Sequence, residues 1–344
     1  MSIAMQALNI ELVPDLAETL FHKLFIDSLQ MFPKEDINTF LGFALSSRTA
    51  YHAAMAFARK ALTVTFVDDM VGIFYGSYQI GDLSENLPIV FGKYLHRAAI
   101  LSCQSAALLK DIFQQLPNLS VLKVWQALSS EQIGVLRDVF PNIEELKTSD
   151  LAILGSEHPG IKFPFLKTLG LIFGNYANDI YKIEMPANSC PLLEHLVFSN
   201  SVEFDKLQNL IFSGDTFVTV KTVHLRHTMF HRLDDTSFAD FVAFISKFPS
   251  LKTTKITKRL HWLTIEEGID ELKAMQSGFE NLTINIPVVL SLNVEYNLYE
   301  RSKVKAVRAL TSAGFVSLND YDDSWLLTAR MPNKTTFVLF NFKQ

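Results

Sequence analysis

From residue 116 to residue 256 the apolar positions recur as one short phrase: an apolar opener, usually a proline, then a run with the spacing of a short strand. It reads LPNLSVLKV from Leu116, FPNIEELKT from Phe140, FPFLKTLGL from Phe163, CPLLEHLVF from Cys190, FVTVKTVHL from Phe217 and FPSLKTTKI from Phe248. The starts lie 24, 23, 27, 27 and 31 residues apart, and a weaker copy, FENLTINI, begins 31 residues further on at Phe279. Such periods predict a solenoid of stacked units, each too small to bury its apolar face alone. Between the phrases the period changes to that of helices. Ser129 and Gln132 have capping-box spacing ahead of Ile133, Leu136, Val139 and Phe140, and Thr264 with Glu267 precedes Ile265, Ile269, Leu272, Met275 and Phe279. Phe238, Phe241, Val242, Ile245 and Phe248 share one helical face. Glycine, proline and asparagine replace any such pattern between Thr148 and Phe163 and between Gly174 and Cys190, which predicts loops there. The expected fold class is α/β: a solenoid with a parallel sheet inside and helices and loops outside.

Aligned on their spacing, the copies place apolar residues at three fixed positions, such as Leu119, Leu122 and Val124, then Leu166, Leu169 and Leu171, then Leu193, Leu196 and Phe198. This resembles the Leu-x-x-Leu-x-Leu core of the leucine-rich repeat, in an irregular form. Thr148 and Thr254 stand where an aliphatic side chain is expected. The position after the strand, often asparagine or cysteine in that family, holds Ala127, Leu151, Gly174, Ser201, Thr228 and Arg259. The resemblance implies a horseshoe.

The phrase is absent from the start of the chain. A helix from about Asp15 to Leu29, a break at Met31 to Pro33 and helical stretches over Ile37 to Lys60 lead into an alternating strand, LTVTF, at Leu62 to Phe66. Beyond about residue 290 a helical stretch, YERSKVKAVRALTSAG, leads to WLLTAR and TTFVLFNF, two strands joined by a turn. Three segments follow: a helical head over 1–61, the solenoid over 62–292 and a C-terminal capping segment over 293–344.

The order VPDLAETLFHKLF, then EDINTFLGFALSSRTAYHAA, resembles the F-box, a compact helical motif. Val13 and Pro14 match its leading pair, Leu20 and Leu24 the apolar positions of its first helix, and Asp36 the acidic opening of the second. Leu41 and Leu45 match its buried face; Ser46, Arg48 and Tyr51 match its serine-arginine-aromatic ending, with Ser47 inserted between the first two. Together with the repeats, the resemblance implies an F-box protein with leucine-rich repeats: a substrate-recognition adaptor of a cullin-type (SCF) ubiquitin ligase. In that family the head docks the Skp adaptor, which bridges to the cullin, and the repeats hold a target protein; this assigns adaptor binding to Val13, Pro14, Leu20, Leu24, Leu41 and Leu45. Two alternatives stand beside it. The head is a cap over the first repeat's open face, or the whole chain is a leucine-rich-repeat scaffold or interaction protein without a ligase role.

Composition narrows the rest. With 49% hydrophobic and 19% charged residues the chain can bury a large core, and a net charge of -5 gives no reason to expect nucleic acid. Two cysteines and a start without a basic, apolar leader predict a soluble protein of the cytoplasm or nucleus, away from membranes. The phosphate-cradling, nucleophile-elbow and zinc motifs are absent, so no catalytic residue, cofactor or metal ligand is assigned and the chain is not expected to be an enzyme. His224, His227 and His231 have helical spacing, but His224 falls inside a repeat strand, where that alignment is lost.

The two-residue period of strands puts the alternate residues of each phrase on the concave face. One column is Lys123, Lys147, Gly170, Val197, His224 and Lys255; the next is Trp125, Ser149, Ile172, Ser199, Arg226 and Thr257. The candidate target contacts are Lys123, Trp125, Lys147, Ile172, His224, Arg226 and Lys255. Trp125 and Arg226 are the expected anchors, and the lysines predict preference for an acidic or phosphorylated segment.

Overall fold

In a computed structural model, the structure describes residues 44, 48–68, 70–76, 78–82, 92–154, 160–172, 182–184, 189–199, 211–213, 215–226, 235–261, 270, 273–275, 277–278, 287–295, 308, 311–312, 316–319, 326–330 and 336–341. The chain divides into two compact units, Met1–Ile143 and Glu144–Gln344. Both are mixed α/β; strand pairing is half parallel in the first unit and mostly parallel in the second, which fits a solenoid-like α/β architecture.

The first unit begins, for the described residues, with helix α1 (Arg48–Ala61), whose buried Ala50, Ala53, Ala54, Phe57 and Ala58 recur at helical spacing along one stripe. The strand LTVTF follows without a linker as β1 (Leu62–Val67). Strands β2 (Met70–Tyr75) and β3 (Tyr78–Asp82) extend the sheet antiparallel on one side of β1. On its other side, β4 (Arg97–Ile100) and β5 (Val121–Val124) are parallel to it. Helix α2 (Ala106–Phe113) is capped by Ser105, which accepts from the Leu108 amide. Helix α3 (Ser130–Leu136) carries the expected capping box in full. Its Gln132 is buried: Oε1 accepts from the Ser129 amide at 2.9 Å, and Nε2 donates to the Cys103 carbonyl at 2.6 Å.

In the second unit, β6 (Glu145–Thr148), β7 (Thr168–Ile172), β9 (His195–Ser199), β11 (Thr222–Arg226), β12 (Thr253–His261) and β13 (Val288–Glu295) are successive parallel neighbours. Strand β16 (Thr336–Asn341) pairs parallel to β13, then β15 (Leu326–Arg330) and β14 (Val316–Asn319) run antiparallel. The two strands expected near the C-terminus are thus β15 and β16. Strands β8 (Lys182–Glu184) and β10 (Ile211–Ser213) form a separate parallel pair; β8 lies in a stretch expected to be loop, three residues being too short to register as a period. The strand beside β12 starts at Val288, just beyond the seventh phrase, whose residues 279–286 lie outside those described. The capping box at Thr264 and Glu267 also lies outside them, and Arg308, Thr311 and Ser312 of the last helical stretch are helical.

Each phrase opens on the same turn. The amide of the first core residue donates to the carbonyl of the opener: Leu119 to Leu116, Ile143 to Phe140, Leu166 to Phe163, Leu193 to Cys190, Val220 to Phe217 and Leu251 to Phe248, at 3.1–3.2 Å. Proline follows the opener in five of these phrases because the second place of such a turn favours its fixed φ and asks for no amide. The carbonyl just before a strand then accepts two amides of the next copy. Glu144 accepts from Lys167 and Thr168 at 2.8 and 3.0 Å, Lys167 from Glu194 and His195 at 3.0 and 2.9 Å, and Glu194 from Lys221 and Thr222 at 2.8 and 3.0 Å. Within the first unit, His96 accepts from Ser120 and Val121 in the same way.

This registry stacks the core. Leu146, Leu169, Leu196 and Val223 are fully buried in one row, and Leu171, Phe198, Leu225 and Ile256 in the next. Each such side chain contributes roughly 1.5–3 kcal/mol by leaving water. Helix α4 (Asp235–Ile245) covers this face with Phe241, Phe244 and Ile245; Phe244 meets Phe198 edge to face at 5.4 Å and Phe248 at 5.3 Å. The two threonines in the core rows differ. Thr148 Oγ1 accepts from the Asp150 amide at 2.9 Å and donates to the Asp150 carbonyl at 3.0 Å, whereas Thr254 Oγ1 is buried without a partner.

Thr254→Val should therefore raise stability by about 1 kcal/mol, since it removes an unsatisfied hydroxyl at nearly constant shape, while Thr148→Val should lower it by about the same amount. Denaturant midpoints of the two variants check the opposite signs. The opener Cys190 is a free thiol that burial pushes up to about 12. It should resist iodoacetamide at pH 8 in the folded protein and react once unfolded, as read by mass spectrometry.

Candidate functional site

The face of the sheet opposite the core carries the candidate contacts. In the second unit, pairing of β6, β7, β9, β11 and β12 puts Lys147 beside Gly170, Gly170 beside Val197, Val197 beside His224 and His224 beside Lys255. The column expected from the two-residue period is thus a physical row. Its exposure is uneven. Parts of the outer face of β7 and β9 are covered, Ile172 being 5% and Val197 8% exposed, while His195 at the start of β9 is open. Ile172 is therefore not an accessible contact. The continuous apolar runs Leu169 to Ile172 and Leu196 to Phe198 are those of strands buried on both faces.

Lys147 is not an open cation either. Its Nζ lies 2.9 Å from Glu145 Oε1, with both side chains about a quarter exposed or less. Its stem lies across Gly170, where an added Cβ would stand 2.6 Å from Lys147 Cγ. The missing side chain at 170 is the space the lysine occupies.

Strands β11 and β12 alternate between core and solvent. Val223, Leu225, Thr254 and Ile256 face the core, while Arg226 and Lys255 are exposed. His224 is half-buried between them: Nε2 lies 2.8 Å from Thr257 Oγ1, and Arg226 Nε donates to Nδ1 at 3.4 Å. A guanidinium only donates, so Nδ1 is the acceptor and the ring proton sits on Nε2, directed at Thr257. The histidine is a buttress that orients Arg226 through Nε and leaves its two terminal nitrogens for a ligand. With Lys255 alongside, the arrangement offers a planar fork and a second cation, donors suited to a carboxylate or phosphoryl group.

No family model matches the chain, and no curated protein matches it.

In the first unit Lys123 is half-buried in β5 and lies beside Ala99. The Trp125 amide donates to the Ile100 carbonyl at 2.8 Å, which sets Trp125 next to Leu101; the two are 45% and 43% exposed. Sequence reasoning missed Leu101, because β4 precedes the first phrase and has no repeat signature to align. The adaptor contacts Val13, Pro14, Leu20, Leu24, Leu41 and Leu45 lie outside the described residues, as do His227 and His231. Among the described residues no group of three or more histidines, cysteines or carboxylates could hold a metal, and no helix is long and apolar enough to cross a membrane.

Gly170→Ala should displace the stem of Lys147 and separate it from Glu145, at a cost of about 1 kcal/mol for the overpacked methyl. Acetylation by an N-hydroxysuccinimide ester, followed by mass spectrometry, should show Lys147 reacting faster in the variant while Lys255 is unchanged.

Proposed function

We propose that this chain is a substrate-recognition adaptor of a cullin-type ubiquitin ligase, with residues 1–61 as an F-box-like head that docks the Skp adaptor and a leucine-rich-repeat solenoid that holds a target protein. The supporting observation is the repeated turn and strand unit, which leaves the outer face of β11 and β12 open with Arg226 and Lys255 projecting from it. The F-box resemblance of the head and the exposed Trp125 and Leu101 pair agree with it. Catalysis is supplied by partners. The adaptor's own contribution is proximity, which raises the effective concentration of target lysines around the activated ubiquitin.

On this proposal an acidic or phosphorylated segment of the target engages the Arg226 fork, with Lys255 adding charge and Trp125 with Leu101 giving an apolar anchor in the first unit. An exposed ion pair contributes roughly 0–1 kcal/mol, while an oriented arginine or aromatic anchor can reach about 2 kcal/mol or more, so Arg226 and Trp125 dominate affinity.

Two measurements test the proposal. The intact protein should capture purified Skp adaptor and cullin, and Leu24→Ala with Leu41→Ala should abolish that capture while the repeats remain folded and target-competent. Failure of the intact protein to bind adaptor rejects the ligase role and leaves an interaction scaffold. Arg226→Glu with Lys255→Glu should weaken target binding at least about tenfold and flatten its salt dependence; an unchanged affinity removes this face from the account.

A further inference from the structure

Six large apolar side chains are strongly exposed among the described residues, and three of them occupy the opening turns of three consecutive copies: Phe165 at 54%, Leu192 at 46% and Val218 at 44%. Phe165 and Leu192 hold the third place of the turn, which in the following copies is Thr219 and Ser250, and Val218 replaces the usual proline. Neighbouring turns follow the strand spacing of about 4.8 Å, so the three side chains make a continuous ridge along the edge where the strands begin. Scattered exposed apolar residues need no explanation, but a contiguous ridge with a charged border is the anatomy of an association surface.

The border is ordered. Beside the ridge run Glu144, Lys167, Glu194 and Lys221, one per copy at the carbonyl that accepts two amides. Within the chain they pair off: Lys167 Nζ lies 2.9 Å from Glu144 Oε2, and Lys221 donates to Glu194. Lys252 in the next copy ends the alternation, so the row is four residues long. An alternating row of even length, read in reverse, carries the opposite sign at every place. A two-fold axis between Lys167 and Glu194 would thus set Glu144 against Lys221 of a second copy, Lys167 against its Glu194, and Phe165 against its Leu192. The four charged contacts and the contact of Phe165 with Leu192 are complementary and reciprocal, which is the requirement of an isologous interface, while Val218 lies outside this two-fold centre.

We propose that this turn edge is the interface of a two-fold homodimer of the chain, with Phe165 and Leu192 at its centre and the alternating row as its border. The patch is smaller than the roughly 800 Å² per partner of a standard stable interface, so the dimer is a weak, concentration-dependent one. It lies at the strand starts, and its existence does not depend on the ligase proposal.

Sedimentation equilibrium of the full chain should show reversible dimerisation between about 1 µM and 1 mM, the affinity span of transient association. Phe165→Asp and, separately, Leu192→Arg should weaken it at least about tenfold with unchanged circular dichroism, because both residues are exposed. The sharper test inverts the whole row: Glu144→Lys, Lys167→Glu, Glu194→Lys and Lys221→Glu together. That variant keeps its internal pairs and its self-complementarity, so it should dimerise as the parent does. It should form no mixed dimer with the parent in native mass spectrometry, because all four facing pairs become like-charged. A strictly monomeric parent, dimerisation unaffected by Phe165→Asp or Leu192→Arg, or free mixing of parent and inverted chains overturns the proposal. A monomeric chain whose ridge instead binds a different protein overturns it equally.

Discussion

Everything in this molecule follows from one backbone constraint: the carbonyl ahead of each of several repeat strands is shared by two consecutive amides of the next copy. Two donors on one acceptor fix where a strand starts relative to its neighbour, and with that its parity. Because side chains alternate along a strand, a slip of one residue would exchange the core and outer faces of the whole copy. The turn of Phe or Leu, proline and core leucine delivers the strand to that carbonyl in the right frame. The hydrophobic ladder is therefore a consequence of the registry as well as its reinforcement: neither a hydrogen bond worth about 1 kcal/mol nor a single buried leucine would hold the stack alone.

Once parity is fixed, local sequence decides what the outer face becomes. The apolar runs Leu169 to Ile172 and Leu196 to Phe198 are buried from both sides, and Gly170 lets Lys147 lie flat into its ion pair with Glu145. In β11 and β12 strict alternation returns, and the polar places are held by His224, Arg226, Lys255 and Thr257. His224, one of the candidate contacts of the outer column, is a structural spacer, bonded on both ring nitrogens beside Arg226. The charged groups at the strand starts have a separate origin. Glu194, held below the usual carboxylate range by the hydrogen bond from Lys221, belongs to the turns and not to the outer face.

The repeat phrases, the capping box at Ser129, helix α4, the strand at Leu62 and the C-terminal pair were all legible, because each imposes a period or a fixed spacing on side-chain chemistry. The outer columns were legible too, since parity is a property of the phrase. What escaped had no side-chain signature. Strands β8 and β10 are three residues long, and the hairpin of β2 and β3 lies before the first phrase. The burial of Ile172 depends on what covers a strand from outside, which alternation cannot express; only the unbroken apolar run hinted at it. Leu101 gained meaning only from being placed beside Trp125.

The unequal spacing of the copies has an evolutionary reading. The turn and strand, tied at both ends by hydrogen bonds, keep one length from copy to copy, while the stretches of sequence between them differ in length, the phrases starting 24, 23, 27, 27 and 31 residues apart. Insertions and deletions can accumulate there without shifting the frame of any strand. The chain thus behaves like a text with fixed words and free margins. Its lineage can lengthen a margin by several residues, or lose one, and still read every word, whereas a one-residue deletion inside FPFLKTL would invert the meaning of all that its copy presents.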